Sequence, residues 1–139
     1  MMGGMPPRTD AFLASLRRCL AVPGFLSSFY DAFLASSPQV REKFAGVDMA
    51  RQARVLEDSL YVVAVSVQGE EGSVARGELP RLAARHGRAG LDVRPELYDL
   101  WTRCLVDAAA RHDPQWSEEA ASAWRETLAV GVEAMRRGY

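Results

Sequence analysis

The 139-residue chain has the length of one compact domain, and its 48% hydrophobic and 25% charged residues are ordinary for a soluble globular protein. The formal net charge of −1 argues against nucleic-acid and membrane-surface binding, because both normally need a basic excess. No segment approaches about 18 consecutive apolar residues and no signal-peptide core begins the chain, so we expect a cytoplasmic protein that does not enter a membrane.

Two helices are predicted in the first part of the chain. Residues 1–8 lack apolar periodicity, so we expect a flexible leader before a domain that spans 9–139. Thr9 can cap a first helix that continues to about Val22, because apolar side chains then recur at helical spacing. Pro23 suits the first turn of a second helix, which carries several aromatic side chains.

Two further helices are predicted before the middle of the chain. Ser37 and Pro38 indicate the cap and the first turn of a short third helix that ends near Phe44. A turn that contains a glycine follows. Asp48 is then a good cap for a long fourth helix, which we expect to continue to about Val67.

Glycine, proline and capping residues in the rest of the chain also indicate helices. A glycine-rich loop at 69–73 precedes a shorter helix over 78–86, which two glycines end. Pro95 lies in the opening turn of another long helix that continues to about Arg111. After an Asp-Pro break, Ser117 begins the last helix.

No stretch alternates apolar and polar residues for long enough to make a convincing strand. The chain is therefore predicted to be an all-α domain of seven or eight helices around one core. The two cysteines, Cys19 and Cys104, lack metal-ligand spacing, so we expect small core side chains in a reducing compartment. A disulfide between them stays open at this point.

Several residues fall in an order that a generic helical bundle would not need. Tyr30 lies late in the second predicted helix, and Phe44 lies at the corner before the fourth. Gln52 and Leu56 are four residues apart, which places them on one face of the fourth helix. His86 ends a short helix.

The runs that contain these residues resemble the globin family. The matching stretches are FYDAFLASSPQVREKF at 29–44, DMARQ at 48–52 with Leu56, and ARHGRAGLDVRPELYDLW at 84–101. Their order is most similar to the bacterial single-domain globins and to the globin part of flavohaemoglobins. The resemblance covers about residues 10–137.

This resemblance implies a globin fold that holds heme b between the fourth helix and the short helix ending at His86. Neutral imidazole is a good ligand for heme iron, and His86 would be the proximal ligand. Phe44 would pack flat against the heme. The other cofactor contacts that the resemblance implies are Leu56, Val93, Tyr98 and Trp101. The second histidine, His112, is expected at the solvated surface.

On the opposite, distal side, the resemblance places Tyr30 and Gln52 toward a bound gas. A phenol O–H and an amide N–H can both donate to O2, which gains negative charge when it binds. Such a hydrogen bond is worth about 1.5–3 kcal/mol, so each good donor should slow gas release. Leu56 would narrow the pocket and limit which ligands fit.

On the proximal side, Tyr98 matches a family tyrosine that can reach the region of the ligand histidine. In flavohaemoglobins a glutamate near the chain end completes that network. The corresponding position here is Tyr139, and the nearest acid is Glu133. This departure disfavours peroxidase-like activation of the iron and favours an ordinary ligand at His86.

The resemblance leaves several functions open. Reversible binding of O2, and of nitric oxide and CO, ranks first together with nitric oxide dioxygenation. Dioxygenation would need a separate reductase, because no flavin or nicotinamide domain is expected here. A gas-sensing domain that signals to a partner protein is the alternative. The complete set of site residues disfavours a heme-free interaction module. We expect a monomer or a homodimer, since the last two helices form the usual dimer surface in related bacterial globins.

Overall fold

Six α-helices make up most of the residues that the computed structural model describes, which are 7–66 and 94–137. In chain order they are α1 (Pro7–Leu20), α2 (Phe25–Ser36), α3 (Pro38–Lys43), α4 (Met49–Ser66), α5 (Leu97–His112) and α6 (Glu118–Arg137). No strand occurs in these two ranges, and the all-α prediction is confirmed. The helix predicted over 78–86, and with it the count of seven or eight, lies outside the described residues.

None of the described helices is by itself long and apolar enough to cross a membrane. Residues 9–20 and 25–36 have sufficient length and composition only as a pair, and the chain bends by 95° between them.

Side-chain caps set three of the helix starts. Ser37, Asp48 and Ser117 each accept a hydrogen bond from a backbone N–H two or three residues further on, at 3.1–3.2 Å. These bonds satisfy amide groups that the first helical turn leaves without partners. The predicted starts of α3, α4 and α6 are therefore confirmed.

The first two helices begin at other residues than predicted. Helix α1 starts at Pro7, and Thr9 is buried inside it, so Thr9 is not the cap. Helix α2 starts at Phe25, because Gly24 has a φ of 91°. This left-handed conformation separates Pro23 from the helix that it was expected to open.

The core draws on almost every described helix. Trp124 of α6 is fully buried, and its ring lies edge-on to Phe12 of α1, with 4.8 Å between the centroids. Such aromatic pairs add about 0.5–1.5 kcal/mol to the gain from burying their area. The other largest fully buried apolar side chains are Phe25, Phe29, Leu16, Leu60, Leu105, Leu128 and Val40.

Helix α4 has its close backbone neighbours in α1 and α6. Helix α5 packs against α1, α2 and α6. Within the described ranges, α4 makes few or no close backbone contacts with α2 or with α5. Its contacts with those two helices are therefore made mainly by side chains.

The two cysteines are free thiols, which settles the question of a disulfide. Cys19 is fully buried and its Sγ lies 3.7 Å from the carbonyl oxygen of Ala109. Burial raises the pKa of the Cys19 thiol to about 12. Cys19 is therefore a small core side chain, as predicted, and Cys104 is half-buried on α5.

The expectation for His112 is wrong. His112 is half-buried at the end of α5, with its ring edge-on to Phe25 at 5.8 Å. Its Nδ1 lies 2.8 Å from the carbonyl oxygen of Ala108. Because the last turn of α5 lies against the start of α2, a side chain predicted at the surface is covered on one side.

A buried ionic network lies directly after the end of α5. The Asp113 side chain is fully buried just after α5, where it accepts hydrogen bonds from Ser15 Oγ at 2.6 Å and from two nitrogens of Arg18 at 2.6 and 2.9 Å. Trp124 Nε1 donates to Ser15 Oγ at 2.9 Å. Desolvation alone would raise the pKa of Asp113, but the bonds from Arg18 and Ser15 outweigh it and hold the pKa below its usual value. The network therefore joins α1, α6 and the end of α5.

We expect Asp113→Asn to lower the free energy of unfolding at pH 7 by about 2–4 kcal/mol, because Arg18 loses the partner of a part-buried ion pair. The folded-state pKa of Asp113 is depressed, so its contribution is complete above the unfolded pKa of about 4. That contribution is lost as pH falls through the folded pKa. The difference between wild type and variant should therefore shrink below about pH 4 in urea titrations.

The control for this prediction is Asp107→Asn, which changes an exposed aspartate on α5. We expect its effect on the free energy of unfolding to stay within about 0.5 kcal/mol. Equal losses in the two variants, or a loss for Asp113→Asn that does not depend on pH, would contradict the role of the network.

Candidate functional site

An uncharged, largely aromatic cluster forms where α2 meets the corner before α4. Tyr30 and Phe33 of α2 are buried, and Phe44 lies at the end of α3. The Phe44 ring is edge-on to both, with centroid distances of 5.8 Å to Tyr30 and 6.1 Å to Phe33. A turn at Gly46, whose φ is 77°, then redirects the chain into α4. The corner thus places the Phe44 ring against α2.

Tyr30 reaches across to the first turns of α4. Its hydroxyl donates to the backbone carbonyl oxygen of Gln52 at 3.4 Å, a long and therefore weak hydrogen bond. Burial raises the pKa of Tyr30 to about 12, although the bond to Gln52 opposes the shift. The phenol therefore keeps its proton at neutral pH and remains a donor.

The structure brings four of the predicted site residues to this part of the molecule. Tyr30 adjoins Gln52, and Phe44 adjoins Tyr30. Leu56 is buried one turn after Gln52, in the same core cluster as Tyr30. Residues that are distant in the sequence thus meet on one side of α4.

Tyr98 lies beside a later part of α4. It is buried with Val63 of α4 and Met135 of α6, in a small cluster separate from the main core. Its hydroxyl is buried and has no hydrogen-bond partner among the described residues. Burial raises the pKa of Tyr98 to about 12. Trp101, three residues further on, is half-buried against the main core.

Two predicted site residues cannot be placed. His86, the expected iron ligand, and Val93 lie outside the described ranges 7–66 and 94–137. Glu133, the nearest acid to the end of the chain, is described. Its side chain is 58% exposed and pairs with Arg137 at 3.4 Å, so it does not bond to the buried hydroxyl of Tyr98.

Gly131 was not singled out from the sequence, yet it positions the Tyr98 side of α4. It is buried in the middle of α6, and a Cβ added there would lie 3.0 Å from Val63 Cγ2. The absence of a side chain lets α6 approach α4 closely at Val63. The available signal was an isolated glycine within a helical pattern, which often has a packing reason. Phe33 was also missed as a neighbour of Phe44.

The comparisons with known proteins agree with this geometry. The sequence matches the globin family over residues 27–135. Among solved structures, the chain is similar to protein PA3967 from Pseudomonas aeruginosa PAO1, which is described as structurally highly homologous to a human hemoglobin. The two are 39% identical with a TM-score of 0.89, and the match covers 95% of this chain and 98% of that one. No curated protein matches the chain. Neither match is to a flavohaemoglobin, so that finer resemblance stays a prediction.

The two buried tyrosines should respond differently to loss of their hydroxyl groups in heme-free protein. Tyr98→Phe removes a desolvated hydroxyl without a described partner, so we expect the free energy of unfolding to stay constant or to rise by up to about 1 kcal/mol. Tyr30→Phe removes a weak hydrogen bond and should lower the free energy of unfolding by about 0.5–1 kcal/mol. Urea unfolding followed by circular dichroism measures both. A loss above about 1 kcal/mol for Tyr98→Phe would reveal a hydroxyl partner outside the described ranges.

Proposed function

The chain belongs to the globin family, and we propose that it binds heme b and uses the iron to bind O2 and other diatomic gases reversibly. The observation that carries this proposal is the buried, protonated phenol of Tyr30 beside Gln52, in a cluster of uncharged side chains. We further propose that the protein acts in the cytoplasm.

The described residues fit such a cofactor. Leu56 and Val63 of α4 and Tyr98 of α5 are buried side chains that are uncharged at neutral pH. The buried hydroxyl of Tyr98 lacks a described partner, as expected at the edge of an absent group. When bound, the heme would supply an iron that can take a diatomic ligand. The residues that would hold it are Phe44, Leu56, Val93, Tyr98, Trp101 and His86.

In this proposal Tyr30 retains the gas. Its hydroxyl is protonated at neutral pH, and its present bond to the Gln52 carbonyl is long, so turning toward a better acceptor costs little. The side-chain amide of Gln52 would supply a second donor. A hydrogen bond to a charged acceptor is worth about 1.5–3 kcal/mol, which corresponds to about ten- to a hundredfold slower release.

On the proximal side, Tyr98 would act on the region of His86. Its hydroxyl has no described partner, so it is free to donate toward a group supplied by residues outside the described ranges. Glu133 is exposed and paired with Arg137, so this acid does not support Tyr98. The arrangement therefore favours an ordinary imidazole ligand and gas binding over peroxidase-like chemistry.

Nitric oxide dioxygenation remains a finer form of the same proposal and requires a separate reductase to return the iron to its ferrous state. Mixing the oxygen-loaded protein with nitric oxide in a stopped-flow instrument distinguishes reversible gas binding from dioxygenation. Oxidation that stops after one turnover with every reductase supplied supports binding alone. Repeated turnover supports the enzyme.

We expect His86→Ala to abolish or strongly weaken the Soret absorption band of the purified protein, because the variant lacks the proposed iron ligand. The matched control is His112→Ala, which removes the only other histidine and should keep the band. Absorption spectra after expression with ample heme measure both. An unchanged spectrum and heme content in His86→Ala would refute the proposed ligand.

We expect Tyr30→Phe to raise the O2 dissociation rate constant by about ten- to a hundredfold, because a donor to the bound gas is lost. Gln52→Leu should have a similar or smaller effect, and the double variant should be non-additive because both donors share one ligand. Tyr61→Phe, on a half-buried tyrosine of α4, is the control. If Tyr30→Phe releases O2 at the wild-type rate, Tyr30 is not a donor.

A further inference from the structure

A small cleft opens between α2 and α4, on the solvent side of Tyr30. Its volume is about 230 Å³. Asp31 and Ala50 at its edge are exposed, whereas its walls are half-buried, and Tyr30 at its base is buried. The wall residues are Leu34, Met49 and Ala53. The exposure of the lining residues thus falls from the mouth to the tyrosine. We call this feature the α2–α4 cleft.

The α2–α4 cleft exists because α2 and α4 make few or no close backbone contacts. Tyr30 crosses this space, with its hydroxyl on the Gln52 carbonyl of α4 and its ring edge-on to Phe44. The Tyr30 ring therefore separates the cleft from the aromatic cluster. Because the bond to Gln52 is 3.4 Å long, that bond itself adds little to the energy that opposes movement of the ring.

The chemistry of the cleft favours a small apolar occupant. Its half-buried walls are two alkyl or thioether side chains and an alanine, which offer a ligand no hydrogen bond, and its polar lining residues Ser27 and Asp31 are exposed. Its volume is below the range of roughly 300–1,000 Å³ that is usual for sites of drug-sized ligands. Apolar walls of this kind can accept xenon or small hydrocarbons. O2, nitric oxide and CO are small and weakly polar, so they fit.

A second groove, also within the described ranges, does not have this character. It lies between α5 and α6, has a volume of about 490 Å³, and is lined by charged side chains such as Arg125. An ion pair between Arg136 and Asp99, at 3.0 Å, joins its two helices. Those charges favour water over an apolar gas.

We propose that the α2–α4 cleft is the route by which diatomic gases pass between solvent and the distal side, with the Tyr30 ring as the barrier at its inner end. This inference rests on the proposed function, because the route has a purpose only if a gas binds beyond Tyr30. It assigns to Met49, Ala50 and Ala53 a role in the rates of gas binding, without contact with the bound gas.

Filling the cleft tests the route. Ala53→Phe fills it from the wall, and Ala50→Phe covers it from an exposed position that tolerates a larger side chain. With the heme-loaded protein and CO, we expect the association and dissociation rate constants to fall together by about three- to tenfold. The equilibrium dissociation constant should stay the same, since a barrier shared by both directions does not change it. Met49→Ala, which widens the cleft, should raise both rate constants.

A second measurement does not depend on the heme reaction. Crystals of the protein under xenon pressure should show xenon beside Leu34 and Met49, and Ala53→Phe should remove it. The control is Ala129→Phe, which adds the same side chain at an exposed alanine of the α5–α6 groove. It should change neither the CO rate constants nor the xenon site.

The outcomes separate this inference from the proposed function. A protein that binds neither heme nor gas contradicts both. A protein that binds CO with unchanged rate constants in Ala50→Phe and Ala53→Phe contradicts only the route. A change in affinity without the paired change in rates, an absence of xenon from the wild-type cleft, or a shift of oligomeric state in place of a rate effect would also overturn it.

Discussion

The close approach of α6 to α4 at Gly131 fixes the position of α4 in the described part of the chain. A side chain at Gly131 would crowd Val63, and Val63 shares its cluster with Tyr98 of α5. Helix α4 thus has close backbone contacts with α1 and α6, whereas it meets α2 and α5 mainly through side chains. The α2–α4 cleft opens at the first of these side-chain contacts, beside Tyr30. Close backbone packing of α2 against α4 would leave no room for this cleft.

The buried polar groups of the described residues differ in how well they are paired, and Thr9 Oγ1 on α1 is among those without a partner. At Asp113 a charged carboxylate is fully buried, yet each of its oxygens accepts hydrogen bonds. Near α4, by contrast, Tyr98 has no described partner and Tyr30 has a weak one. Buried polar groups without partners cost stability, so natural folds keep few of them. The position of the two tyrosines beside α4 is understandable if a bound group completes them.

Local sequence signals predicted the helix starts at Ser37, Asp48 and Ser117, because a cap acts within three residues. The family resemblance predicted the overall fold, since it drew on the order of motifs along the whole chain. The Asp113 network could not be predicted, because its partners Ser15 and Arg18 lie 98 and 95 residues away in the sequence. The covered position of His112 was missed for the same reason. Residue type predicted Tyr30 as a donor, but only the folded chain shows its acceptor.

The weakness of the hydrogen bond from Tyr30 to Gln52 is compatible with both proposed roles of Tyr30, as a donor to the bound gas and as the barrier at the inner end of the cleft. A strong bond to the Gln52 carbonyl would hold the ring across the cleft and would compete with donation to a gas. A neutral hydrogen bond contributes about 0.5–1.5 kcal/mol and one to a charged acceptor about 1.5–3 kcal/mol, so the exchange of acceptors favours the gas by roughly 1–2 kcal/mol. At 3.4 Å the existing bond is long, so its contribution lies near the lower limit of the range for a neutral hydrogen bond. The part of the cost of moving the ring that comes from this bond is therefore small. Gas retention and gas passage therefore depend on the same soft contact between α2 and α4, and on the burial that keeps the phenol protonated.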